Sequence, residues 1–358
     1  MNPLLNTLEL DKMIGQLFIG GMSGPHLDYN TITLIKDYHL SGVILFDRNI
    51  TDPMQLAHLS MDIQTLSMDQ AGIPSFLAVD QEGGRVARLT KPFTLFSGNS
   101  SIGKDPRAKE KTRFFARTTA IEMSLVGLNM DMAPVLDVAK PGVDPHLEGR
   151  CFSENPDMVA SLGKIVISEL QQNGIISVAK HFPGLGKANA DPHSELPIIE
   201  ADQDEMKTVH LLPFAGAIEA NVSAIMSSHA VYPFLDGSLP ATLSKKIIRE
   251  LLRERMGFGG LIISDDLEMG AVANLSGGVP ESAAKAFEAG ADLLLICSKQ
   301  EYIPESIAAI RKRLLKGEIS FERLRMSLER VAKYKDRFLL PPKIISLHSV
   351  KSYFERRH

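Results

Sequence analysis

Two stretches of this sequence carry side chains whose types and spacing suit chemistry. Residues 180–197, KHFPGLGKANADPHSELP, open with an ammonium and an imidazole at the end of an apolar run, bend through Pro183, Gly184 and Gly186, and close on Asp191 and His193. That composition serves no hydrophobic core and suits a catalytic loop. Residues 260–266, GLIISDD, read as a buried strand ending in acids. Asp265 would leave that strand with its backbone fixed, and a rigidly held carboxylate is what nucleophilic attack on an electrophilic carbon requires. The plain alternative is that one of the two acids caps the next helix, with Asp266 the better placed, because acids favour helix N-termini.

The elements that must position these residues follow a strand and helix alternation. Short apolar runs at 15–20, 42–46, 76–79, 129–133, 175–179, 224–226, 261–263 and 293–296 suit buried parallel strands. Helical periodicity occupies 29–38, 54–71, 109–126, 156–173, 204–220, 243–256 and 280–289, then 304–316 and 320–337. Asp52 and Ser244 fit helix starts; Gly174, Gly257 and Gly290 fit stops. The expected fold is α/β, a single (β/α)8 TIM-type barrel with extra C-terminal helices, spanning residues 1–340 and followed by a C-terminal tail at 341–358. Polar groups crowd the carboxyl ends of the expected strands: Asp47 and Arg48, Asp80 and Glu82, Asp137, Lys180 and His181, His229, and Asp265. In a barrel these converge on one rim, where active sites of that fold lie. An enzyme is the reading that follows.

Composition narrows the class. The 358 residues are 44% hydrophobic and 23% charged with a formal net charge of −4, a soluble globular balance with no general pull towards nucleic acid or a membrane surface. Two cysteines make neither a disulfide framework nor a zinc knuckle and favour a reducing compartment. The first residues, MNPLLNTLELDK, lack a basic start followed by an apolar signal core, so a cytoplasmic protein is expected. The segment GLGK at 184–187 lacks the spacing of a P-loop and the following Ser or Thr. His181, His193, His229 and Asp265 show no tight metal-ligand pairing, and neither a metal nor a cofactor is expected. With no Trp and 6% aromatic residues, the chain offers few aromatic faces on which the successive rings of a polymer could stack, and a small soluble substrate suits it better.

Residues 251–265, LLRERMGFGGLIISD, resemble the active-site signature of glycoside hydrolase family 3. The stretches VDQEGGRVARL (79–89), KHFPGLGKANADPH (180–193), FDRN (46–49), MAPVLDV (132–138), GRCF (149–152) and LPATLS (239–244) are similar to its NagZ-type bacterial β-N-acetylglucosaminidases, in the same order along about residues 10–340. The resemblance implies Asp265 as nucleophile and His193, paired with Asp191, as acid and base. An imidazole titrates near neutrality, and a neighbouring carboxylate orients it. It also implies Asp80, Arg88, Arg150, Lys180 and His181 as the residues that hold the sugar, while Glu82 and Arg85 are read as supports of the turn at Gly83–Gly84, outside the pocket. The implied activity is removal of terminal N-acetylglucosamine from cell-wall turnover fragments by a monomer. A non-catalytic sugar-binding barrel and another β-glycosidase of the family are the alternatives. Leu185, Lys187 and Pro192 depart from the family loop, which reads close to KHFPGHGD and then Asp-Ser-His.

Overall fold

The computed structural model describes residues 7–139, 146–188, 195–275 and 277–356. Eight parallel strands close into a barrel: Phe18–Gly21, Gly42–Leu45, Phe76–Val79, Met130–Asp131, Ile176–Phe182, Ala224–Ser227, Leu261–Asp266 and Leu293–Ile296, each beside its neighbour in sequence order and the last against the first. Every one of the expected strand runs contributes to it. The first begins later than expected, because residues up to Gly15 belong to an N-terminal helix, Thr7–Gly15.

Alternation along the strands sorts the core into two compartments. Ile19, Ile44, Ala78, Met130, Ile176, Val178, Met226, Ile263 and Leu293 fill the lumen, while the intervening residues pack against the outer helices. The lower end of the lumen is stoppered by Val331, Tyr334 and Leu339 of the helix Phe321–Leu339. Beyond the barrel, residues Leu347–Glu355 form a helix that packs back onto it, with the Phe354 and Phe93 rings 4.7 Å apart.

Two expected helices are irregular. The run expected at 204–220 is interrupted by a π-helical turn at Met206–His210, after which Pro213 falls in the first turn of Leu212–Glu219, where a missing N–H costs nothing. The segment Lys246–Arg255 is also π-helical. Asp52 does cap its helix, accepting from the amides of Met54 and Gln55 at 2.8 and 2.9 Å.

Candidate active site

Two barrel strands break their regular pairing, and both breaks fall on site residues. Between the fifth and sixth strands the register runs Ala179 to Ile225 and then Phe182 to Ser227, so three steps on one strand meet two on the other. Between the seventh and eighth it runs Ile263 to Leu293 and then Asp266 to Leu295. Such an extra residue re-aims side chains that strict alternation would send to opposite faces. Lys180 and His181 accordingly line the same cavity, as do Asp265 and Asp266.

That cavity, about 240 Å³, sits at the carboxyl ends of the strands and also takes in Asp80, Glu82, Arg88 and Arg150. Lys180 is its hub. The ammonium lies 2.7 Å from Asp80 Oδ1 and 2.7 Å from Glu82 Oε1. Glu82 in turn accepts a bidentate pair from Arg150, with Nε at 2.9 Å and Nη2 at 2.8 Å. Burial alone would raise the Glu82 carboxyl, but the Lys180 and Arg150 charges and their hydrogen bonds outweigh it and hold it far below the ordinary range. The same carboxylates overcome the burial of Lys180 and keep its ammonium charged. Asp131, beneath them, has no such surplus of cations, and burial pushes its carboxyl well up. The buried charge is thereby balanced: Lys180 and Arg150 against Asp80 and Glu82.

Arg88 reaches Asp80 and Asp47, each at 3.6 Å, and lies over the Phe46 ring at 5.5 Å, with Arg48 at 4.6 Å from the same ring. His181 is oriented from behind. Its Nδ1 is 2.7 Å from Asp137 Oδ2, while the other Asp137 oxygen accepts from the Leu185 amide at 2.7 Å. This leaves Nε2 as the ring nitrogen available to the cavity.

Asp265 accepts from the Asp266 amide at 2.8 Å. Burial would raise its carboxyl, but the imidazoles of His181 and His229, that amide and Lys180 hold it below its ordinary value, so it is an anion at neutral pH. Asp266 goes the other way: burial, with Glu268 and Asp265 nearby, pushes it up to about 7. Asp266 is not a helix cap. It accepts from the amides of Glu268 and Cys297, and the next helix, Gly270–Ala273, is preceded by Met269.

The comparisons with known proteins agree with this geometry. The family model described as "Glycosyl hydrolase family 3 N terminal domain" matches residues 9–334. The chain belongs to glycosyl hydrolase family 3. Among its relatives, "Beta-hexosaminidase A" of Pseudoalteromonas piscicida is 33% identical over 88% of this chain, which spans only 56% of that protein's length. "Beta-hexosaminidase" of Thiobacillus denitrificans is 34% identical over 77% of this chain and 76% of its own. In structure the chain is similar to a family 3 β-N-acetylglucosaminidase from Paenibacillus sp. str. FPU-7, with a TM-score of 0.89 at 32% identity, covering 97% of this chain and 68% of that one. It is also similar to native NagZ from Neisseria gonorrhoeae, with a TM-score of 0.79 at 29% identity and 95% of each chain covered.

For this family 3 glycoside hydrolase, the cavity brings together six of the eight residues singled out from sequence: Asp80, Arg88, Arg150, Lys180, His181 and Asp265. Asp191 and His193 lie outside the described residues. Glu82 was read as a support outside the pocket; instead it forms part of the cavity wall, because the hairpin Gln81–Gly83 and Val86–Ala87 folds it inward beneath Lys180. Its signal was present in the sequence as the second acid after the third strand. Arg85 does lie outside, donating to the His146 carbonyl. Lys187 reaches Glu205 at 3.0 Å and the Glu200 carbonyl at 3.1 Å. His229 is a satisfied buried histidine, its Nε2 donating to the Asp266 carbonyl at 2.9 Å and its Nδ1 2.8 Å from Thr242 Oγ1. Asp137 was noted only as a polar residue after the fourth strand; its bond to His181 depends on contact across strands. Among the described residues no group of His, Cys, Asp and Glu is arranged to hold a metal ion, and no helix is long and apolar enough to cross a membrane.

Proposed function

We propose that this family 3 chain is a retaining exo-β-N-acetylglucosaminidase acting as a monomer on small soluble glycosides in the cytoplasm, peptidoglycan turnover fragments among them. The observation that carries the reading is the Asp265 carboxylate, held ionised at the exit of a barrel strand and facing the same cavity as Lys180, His181, Arg150 and Asp80. In the first step Asp265 attacks the anomeric carbon, the glycosidic bond breaks, and a proton passes to the leaving oxygen. In the second, water attacks the glycosyl-enzyme ester, gives up a proton to the base, and releases Asp265. His193, paired with Asp191, is assigned the proton transfers on the strength of the sequence resemblance. Lys180, Arg150, Arg88 and His181 supply donors for sugar oxygens, and Asp80 supplies an acceptor for hydroxyls. The names of the relatives, hexosaminidases and β-N-acetylglucosaminidases, support the choice of sugar.

The test is turnover of a chromogenic β-N-acetylglucosaminide, followed by trapping with a fluorinated N-acetylglucosamine analogue and peptide mass mapping. The label is expected on Asp265, and Asp265→Ala is expected to abolish turnover. Undiminished turnover in that variant would sink the nucleophile assignment. Saturable N-acetylglucosamine binding by the unaltered protein without turnover would make the barrel a binding protein.

A further inference from the structure

At the opposite end of the barrel from the mouth lies a second cavity, of about 360 Å³. Its floor is formed by Gln16, Val331 and Lys335, all buried, and its open edge by two partly exposed apolar side chains, Ile73 (37% exposed) and Leu340 (41% exposed). Leu328 and Met13 extend the apolar wall between them. The floor is electrically unbalanced. Lys335 is 2% exposed, and its ammonium has only neutral partners: Gln16 Oε1 at 3.0 Å, the Ser41 carbonyl at 2.9 Å and the face of Phe76 at 5.0 Å. Among the described residues no carboxylate pairs with it. The Ser41 hydroxyl beside it, also buried, has no hydrogen-bond partner among the described residues. Burial pushes the Lys335 amine down to about 7, the response of a buried cation without a counter-ion. Of the acids along the cavity, Glu9 is paired with Lys12 at 3.3 Å and Asp336 is exposed; His39 is the remaining titratable group.

We infer that this cavity binds a medium-chain monocarboxylate, with the carboxylate towards Lys335 and the alkyl chain along Val331, Leu328 and Ile73. An apolar pocket of this size with one buried polar anchor is the usual form of a small-ligand site, and the missing charge on its floor is negative. A phosphate or a dianion fits less well, because the other cation along the walls, Lys12, is already paired with Glu9 at 3.3 Å.

The experiment is isothermal titration of the full chain with hexanoate, heptanoate and octanoate, and with octan-1-ol and octylamine as neutral and cationic probes of the same length. Octanoate is expected to bind at one site, with affinity rising about fourfold per methylene along the series. It is expected to exceed octanol by about tenfold or more, the worth of a charge-assisted hydrogen bond. In Lys335→Met, octanoate and octanol should bind alike. Should that variant fail to fold, Ile73→Glu at the exposed edge is expected to weaken octanoate about tenfold while leaving glycoside turnover unchanged. Equal binding of octanoate and octanol to the unaltered protein overturns the proposal, as does a headgroup preference that survives Lys335→Met, no binding at millimolar octanoate, or competition between octanoate and the glycoside.

Discussion

Replacing Glu82 by Gln tests whether the sugar-facing cations are placed by one buried carboxylate. The structure gives Glu82 three charge-assisted bonds, two from Arg150 and one from Lys180, at 2.7–2.9 Å and 1% exposure. Glutamine keeps the shape but removes the charge, leaving two buried cations to share Asp80. Breaking one side of such a pair costs about 3–5 kcal/mol. With an unfolding entropy of about 2.1 cal/mol/K per residue, a chain of 358 residues has about 0.75 kcal/mol/K in all, so the melting temperature should fall by about 4–7 °C. Arg150 and Lys180 would then re-aim, and a displacement of about 1 Å at a positioned group costs about 100-fold in kcat/KM.

Scanning calorimetry and turnover of a chromogenic β-N-acetylglucosaminide read the two effects separately. A third readout is the acid limb of stability. The Glu82 carboxyl is depressed in the folded state, so its contribution is complete above the ordinary carboxylate value and is lost as pH falls through and below it. Wild type should therefore lose stability more steeply towards acid than Glu82→Gln does. A variant that melts within about 1 °C of wild type and keeps kcat/KM within about twofold would refute the reasoning, since it would mean that Lys180 and Arg150 are held by other contacts.

Asp266→Asn bears on the neighbouring carboxyl. Because Asp266 is raised to about 7, the folded state holds its proton where the unfolded chain has lost it; that stabilisation is complete below the ordinary value of 3.8 and is lost as pH rises through about 7. Measured by calorimetry from pH 5 to about 8, the stability of wild type relative to the variant should fall as pH rises, and a pH-independent difference would remove Asp266 as a contributor. Among the described residues His210 is buried with neither ring nitrogen hydrogen-bonded, packed against Gly184 so closely that a Cβ there would stand 3.1 Å from the imidazole. His210→Leu is expected to stabilise the fold by about 1–3 kcal/mol, the cost of an unmet buried polar group, and a net loss of stability would refute the reading that its ring nitrogens are unmet. Burial lowers the His210 imidazole, so wild type should lose stability relative to His210→Leu as pH falls through the ordinary value of 6.5.

What could be read from the sequence about the fold was what burial on both faces imposes. The strands at Phe76–Val79 and Leu293–Ile296 stand out as unbroken apolar runs because one face meets the lumen and the other the helices. Elements that bury one narrow stripe were harder to see. The last helix, Leu347–Glu355, has only Val350 and Phe354 buried, four residues apart, in an otherwise polar stretch. Met206–His210 was read as part of one continuous helix because its apolar spacing is helical, although Pro213 already marked a break.

The site was legible for a different reason, and its limits follow from that reason. Lys180 and His181, and likewise Asp265 and Asp266, are consecutive in sequence, and a regular strand would turn one of each pair away from the lumen. Periodicity therefore argues against both members of either pair facing one cavity. Chemistry argues the opposite, since an ammonium beside an imidazole at a strand end, or two acids in succession, has no other inexpensive burial. The register breaks at 179–182 and 263–266 resolve the conflict by adding a residue where both side chains must turn inward. Local rules fail where the chain departs from regular geometry to assemble a site, so the pair of bulges is itself evidence for function. Glu82 was misplaced by the same logic applied in reverse: a tight turn at Gly83–Gly84, with φ of +82° and +64°, was taken to carry its flanking side chains outward, whereas the hairpin it closes delivers Glu82 to the two cations that most need a counter-ion.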